Sequence, residues 1–142
     1  MDWDQYFMGF AKHASLKSKD STKVGAVLID RAGSVILTAF NGPPRGVEDR
    51  PERFERPMKY MYASHAEANL IAFAARNGIR TENCMVVSTH MPCAACTRTL
   101  IQAGIKCIVY GSGEFKSLVE EREHTIAMCE EAGVELQDHG KA

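Results

Sequence analysis

The 142 residues are 45% hydrophobic and 25% charged, with 17 basic against 18 acidic side chains and a formal charge of −1. That balance lacks the basic excess of most nucleic-acid-binding domains and favours a small free substrate over a polymer. The length suits a single domain over residues 1–142, and no apolar run is long enough to span a bilayer. The N-terminus, Met1-Asp2-Trp3-Asp4-Gln5-Tyr6, has neither the basic start nor the apolar stretch of a secretory signal. A cytoplasmic location is expected, where five cysteines serve as thiols or metal ligands rather than disulfides.

In chain order, Trp3, Tyr6, Phe7, Phe10, Ala11 and Ala14 recur at the spacing of an amphipathic helix over residues 3–17. Val24 to Ile29 and Ser34 to Phe40 read as strands around Asp30-Arg31-Ala32-Gly33, a hairpin turn. Residues 41–60, with four prolines and charges of both signs, predict a long, solvated loop of the kind that is often functional. Helix (64–77), strand (84–88), helix (93–103), strand (106–110), helix (116–132) and strand (134–137) then alternate. Gly78, Gly104 and Gly133 follow the helical runs. Alternation implies parallel strands covered by helices. The expected fold is α/β, with three α/β/α layers around a mixed sheet of about five strands, the first two antiparallel and the rest parallel.

The chemistry gathers in two short motifs, His65-Ala66-Glu67 and Pro92-Cys93-Ala94-Ala95-Cys96. Cys93 and Cys96 are three apart, so a helix presents them on one face, and Pro92 suits the start of such a helix. Two thiolates and a neutral imidazole balance the charge of zinc and leave the fourth tetrahedral position open, the pattern of a catalytic rather than a structural site. On a regular helix His65 and Glu67 point roughly 200° apart, so they cannot both be ligands. With the metal off the start of the helix, His65 can bind it while Glu67 serves as general acid and base. His-x-Glu with Pro-Cys-x-x-Cys is the signature of zinc-dependent nucleobase deaminases.

Each piece also has a plainer reading. Ser64-His65-Ala66-Glu67 is a capping box, and Cys-x-x-Cys alone is also a redox motif. The two motifs together, each opening a helix with a strand between, favour zinc. Cys84, Cys107 and Cys129 lie at no ligand spacing and are expected to be buried as small hydrophobes. Met58, Met61, Met85, Met91 and Met128 are expected to fill core or pocket gaps. His13, His90, His124 and His139 carry no assigned role, although His90 is near enough in sequence to line the site.

Over nearly its whole length the chain resembles the cytidine and deoxycytidylate deaminase family, and its deoxycytidylate (dCMP) branch in particular. The resemblance is carried by Lys23-Val24-Gly25-Ala26-Val27-Leu28, Asn41-Gly42-Pro43-Pro44-Arg45-Gly46-Val47, Tyr62-Ala63-Ser64-His65-Ala66-Glu67-Ala68-Asn69 and Gln102-Ala103-Gly104-Ile105-Lys106. It implies hydrolysis of dCMP to dUMP and ammonia, supplying dUMP for thymidylate synthesis. His65, Cys93 and Cys96 would hold one zinc per subunit, and Glu67 would move the protons. By the same likeness Asn41 contacts the sugar, the backbone N–H of Ala66 holds the pyrimidine O2, and the chain at Met91 receives the amino group. Arg45 is the candidate for the phosphate, since a guanidinium matches it in two-pronged geometry. The resemblance further implies a homo-oligomer, a hexamer in many members, with dCTP and dTTP as effectors. Phe73 and Arg76, one turn apart, are candidates to couple a subunit contact to the site.

Two departures stand out. Residues 41–64 contain no cysteine or histidine, so the second zinc of some viral members is not expected. Gly111-Ser112-Gly113-Glu114-Phe115 replaces the family's Ser-Asp-Lys-Tyr pattern, which bears on nucleotide specificity and regulation. The alternatives are deamination of a modified dCMP, of cytidine or of tRNA adenosine, or a non-catalytic zinc module. The charge disfavours the tRNA reading, and Glu67 the non-catalytic one.

Overall fold

The computed structural model describes residues 1–113 and 119–141. Helix α1 spans Trp3–Ser15. Asp2 caps it by accepting the Gln5 N–H at 2.7 Å, and Gln5 Oε1 accepts the Asp2 N–H at 2.8 Å. Phe7, Met8, Ala11 and Ala14 are buried, but Trp3, Tyr6 and Phe10 of the expected apolar stripe stay in solvent. Their rings stack edge-on, Trp3 on Tyr6 at 5.6 Å and Tyr6 on Phe10 at 5.0 Å. The buried stripe is narrow because α1 lies directly on strand β1 (Gly25–Ile29). A Cβ at Gly25 would run into the Ala11 carbonyl.

Strand β2 (Val35–Phe40) pairs antiparallel with β1 through the predicted turn. Asp30 Oδ1 accepts the N–H groups of Ala32 and Ser34, each at 2.9 Å, and Gly33 takes φ 88°. The segment expected as an unbroken loop holds a 3-10 turn at Pro51–Phe54 and a short helix α2 at Lys59–Tyr62. There follow α3 (Ala66–Arg76), β3 (Met85–His90), α4 (Ala94–Gln102), β4 (Cys107–Gly113), α5 (Val119–Ala132) and β5 (Glu135–Asp138). The predicted start of the last helix at residues 116–118, and Glu114-Phe115 of the second departure, lie outside the described residues.

The sheet runs β2-β1-β3-β4-β5. The β1 pairs are antiparallel, and β3, β4 and β5 are parallel, as the mixed-sheet reading expects. Alternating residues feed two cores. Ala26, Leu28, Val86 and Ile108 meet Leu70 of α3, Leu100 of α4 and Cys129 of α5. Val27, Ile29, Val87 and Val109 meet Phe7, Met8 and Ala11 of α1 on the other face. Each large side chain buried in this way stabilises by about 1.5–3 kcal/mol, and the result is three layers. Cys84, Cys107 and Cys129 are buried thiols, as expected. Met58 and Met61, expected to fill gaps, are exposed on the segment before α3, which turns them outward. No helix among the described residues is long and apolar enough to cross a membrane.

The topology gathers one end of the molecule. β1 begins, β2 ends and β3 ends at the same edge, because β1 runs antiparallel to both neighbours. α3 leads into β3 and α4 leaves it, so both helices also begin there.

Candidate active site

Both motifs open helices, α3 two residues and α4 one residue later than the sequence suggests. His65 is the N-cap of α3, in extended conformation at φ −71° and ψ 151°, and Cys93 is the N-cap of α4 at φ −70° and ψ 169°. The capping-box reading of Ser64 is therefore corrected. The Ser64 backbone pairs instead with Gly42, in both directions at 3.0 and 2.8 Å, which leaves its hydroxyl no helix end to cap. This bridge ties the loop after β2 to the start of α3. Asn69 strengthens it by donating to the Phe40 carbonyl at 2.8 Å.

The extended N-cap separates the two side chains, since His65 turns away from the helix while Glu67 sits within its first turn. His65 Nδ1 is 3.4 Å from Sγ of both Cys93 and Cys96. The three ligand atoms lie within 4.8 Å of one another, the one such cluster of three among the described residues. Zn–S bonds near 2.3 Å and Zn–N bonds near 2.0–2.1 Å imply a tetrahedral N···S edge of about 3.5 Å, so spacing and donor chemistry both fit zinc.

The three side chains share protons and charge unequally. Cys93 is pulled down to about 4, first by the hydrogen bond from the Cys96 thiol and then by His65 and the Cys96 N–H. Its sulfur accepts that N–H at 3.4 Å, at the positive end of α4. Cys96 is pushed up, because its proton is held against Cys93 and the site is buried. His65 is raised by its hydrogen bond with Cys93, against the opposing effect of burial.

Beside the triad, Glu67 is 3% exposed. Burial raises its pKa, and a hydrogen bond from Ser88 Oγ to Oε1 at 2.7 Å opposes the rise. Asp20, at 4%, and Lys59, at 9%, are the other buried charged side chains among the described residues. They pair at 3.3 Å. Buried charge is costly without such partners, and all three line one cavity of about 170 Å³, together with Asn41, Arg56, His65, Ala66, His90, Met91 and Cys93.

Of the predicted substrate residues, Asn41, Ala66 and Met91 reach this cavity. Asn41 also locks the entrance to β1. Its Oδ1 accepts the Val24 N–H at 2.9 Å and its Nδ2 donates to the Thr22 carbonyl at 2.8 Å. Ala66 is the first residue of α3, where an N–H has no intrahelical acceptor. Arg45 is elsewhere. Its guanidinium stacks on Phe73, 4.0 Å from the ring centroid, and it lines a separate groove with Lys17, Lys19 and Pro44. The cations on the cavity wall are instead Arg56 and Lys59, from the stretch read as a solvated loop. Sequence reasoning also passed over Asp20 and Ser88. They sit 39 and 21 residues from their partners Lys59 and Glu67, and no local pattern marks them. His90 is buried on the cavity wall, with Nδ1 2.7 Å from Thr89 Oγ1, and burial lowers its pKa.

Residues 1–112 match the family described as the cytidine and deoxycytidylate deaminase zinc-binding region. The chain is 41% identical over 104 residues to an uncharacterised deaminase in the luxG 3' region of Aliivibrio fischeri, covering 72% of this chain and 68% of that protein. It is 31% identical over 122 residues to the deoxycytidylate deaminase of Mus musculus, covering 81% and 67%. The crystal structure of the cyanophage S-TIM5 dCMP deaminase in complex with dCMP and dUMP superposes with a TM-score of 0.76, at 25% identity and over 94% of both chains. With the His/Cys/Cys cluster beside a buried carboxylate, these likenesses identify the chain as a zinc-dependent hydrolytic deaminase that belongs to the cytidine and deoxycytidylate deaminase family.

Proposed function

We propose that this enzyme converts dCMP and water to dUMP and ammonia, with residues 1–142 acting as one catalytic unit. The observation that carries the reading is the buried Glu67 carboxylate, which shares a cavity with the His65, Cys93 and Cys96 cluster and with two cations suited to a phosphate. The relatives named deoxycytidylate deaminase support the choice of substrate.

His65 Nδ1 and the sulfurs of Cys93 and Cys96 are the atoms that would hold zinc. When bound, it supplies Lewis acidity that brings the ionisation of water toward about neutral pH. Glu67 accepts a proton at a carboxylate oxygen as water oxygen adds to C4, and delivers it to N3. It then carries the second water proton to the C4 amino nitrogen. The C4–N bond breaks, ammonia leaves, C4 keeps a carbonyl oxygen, and Glu67 returns to its starting state. The Ala66 N–H, at the positive end of α3, would hold the base O2. Asn41 and Met91 bound the sugar and the amino group. Arg56 and Lys59 replace Arg45 as the candidates for the phosphate.

The same reading takes the enzyme to be cytoplasmic and to work as a homo-oligomer, a hexamer by likeness, open to control by dCTP and dTTP. The exposed Met58, Tyr60 and Met61, of which Tyr60 lines the cavity, support an assembly, which light scattering tests. Function is tested by an ultraviolet assay on dCMP, CMP, dCTP, deoxycytidine and 5-substituted dCMP, with Glu67→Ala alongside. Turnover of dCMP that Glu67→Ala abolishes is the expected result. A preference for another member of the panel overturns the substrate, and turnover that survives Glu67→Ala overturns the mechanism.

A further inference from the structure

The assigned motifs give no role to the Ser88 hydroxyl. Ser88 is fully buried in β3, while its Oγ lies 2.7 Å from Glu67 Oε1. It is not among the residues lining the cavity, so it stands behind the carboxylate, away from substrate. A strand position packed against a helix favours a β-branched apolar residue, and a buried hydroxyl costs stability unless it is bonded. The hydroxyl here meets an ionisable side chain.

We propose that Ser88 is a positioning residue that holds the Glu67 carboxylate in the geometry needed for proton transfer. The proposal rests on Glu67 being the proton carrier. The His90 backbone N–H approaches Ser88 Oγ at 3.4 Å, which occupies one lone pair and leaves the hydroxyl hydrogen for Glu67. A serine has one hydrogen and two lone pairs, so it donates to the carboxylate and, after a rotation, accepts from the carboxylic acid. Glu67 therefore keeps its partner in both protonation states that the reaction visits. With Oε1 anchored, Oε2 is left to serve the reacting atoms. Glu67 has three side-chain torsions between backbone and carboxylate, and misplacement by about 1 Å costs on the order of a hundredfold in rate.

The test compares zinc-loaded wild type with Ser88→Ala, Ser88→Cys and Ser88→Thr. Ser88→Ala is expected to lower kcat for dCMP about tenfold or more, with KM within about twofold and zinc content unchanged. Ser88→Cys, a poor donor of similar size, should behave like Ala, and Ser88→Thr should recover most of kcat. Full kcat in Ser88→Ala, a loss confined to KM or zinc content, or a Thr variant no better than Ala overturns the proposal.

A second readout does not depend on turnover. A double-mutant cycle of Ser88→Ala with Glu67→Ala, followed by urea unfolding of the zinc-loaded protein, should show at least about tenfold coupling in the unfolding constant. Effects that multiply independently to within about twofold overturn the pairing. If wild type deaminates none of the panel, the assignment of substrate fails, while the cycle still decides whether Ser88 and Glu67 act together.

Discussion

Lys59→Met removes one charge from the buried pair with Asp20 while keeping most of the side-chain volume. The pair is 3.3 Å apart, at side-chain exposures of 11% and 4%. Breaking a buried ion pair costs about 3–5 kcal/mol when the remaining charge has no other partner. Asp20 Oδ1 still accepts the Thr22 N–H at 2.9 Å, and the pair borders an open cavity, so about 2 kcal/mol is expected. At about 2.1 cal/mol/K of unfolding entropy per residue, 142 residues give about 0.3 kcal/mol/K, hence a fall of about 7 °C in Tm by calorimetry. If Lys59 also holds the phosphate, losing one charge-assisted bond should reduce kcat/KM for dCMP about 10- to 100-fold and leave deoxycytidine unchanged. Adding Asp20→Asn removes the orphaned charge, so the double variant should regain most of the Tm and none of the preference for dCMP. Equal losses on dCMP and deoxycytidine would refute the phosphate role, and a Tm that Asp20→Asn fails to rescue would refute the pair.

Asn41→Ala leaves the Val24 N–H and the Thr22 carbonyl without their side-chain partner, so it should destabilise by about 2–3 kcal/mol in urea unfolding even in the absence of substrate. In the metal-free enzyme, Cys93, with its pKa near 4, should be alkylated by iodoacetamide at pH 6 well ahead of Cys107, which burial pushes up to about 11. Peptide mass mapping reads the order, and added zinc should protect Cys93 and restore activity after chelation. Gly25→Ala drives a Cβ into the Ala11 carbonyl, backbone that cannot rotate away, and should cost about 3 kcal/mol or more, read as a lost or lowered melting transition. Gly113→Ala brings a Cβ onto the His90 ring and should cost about 1–3 kcal/mol, which His90→Ala in the same chain relieves.

What the sequence disclosed and what it hid divide along physical lines. The sheet was legible because its alternation is dictated locally, by β-branched runs between helical stripes and by glycines at φ 66°, 84° and 73° after the helices. The triad was legible because its members sit in two motifs of three to five residues whose spacing follows from a helix start. Asp20 and Lys59 were not, since in sequence they belong to polar stretches that look solvated, and only the folded chain buries them against each other. Arg45 lies away from the cavity for the complementary reason. Its charge suits a phosphate wherever it lies, but Phe73 offers it an aromatic face outside the cavity. Ser64 has good capping chemistry, yet its backbone is committed to Gly42, and the helix starts after His65.

The departure at Gly111-Ser112-Gly113 takes on a packing sense in the same way. A Cβ at Gly113 would collide with three atoms of the His90 imidazole, and one at Gly111 would meet the Thr89 carbonyl and the end of Met8. Neither glycine has a positive φ, so what is needed at both places is the absence of a side chain rather than backbone freedom. His90 Nδ1 is also 2.7 Å from Thr89 Oγ1, which accepts the Gly25 N–H at 3.2 Å. The ring on the cavity wall is thus fixed by β1 and β4 together, and a side chain at position 113 would have to displace it. The glycine at the end of β4 and the imidazole on the cavity wall are therefore coupled by packing, and a side chain added at position 113 would reshape the cavity through His90.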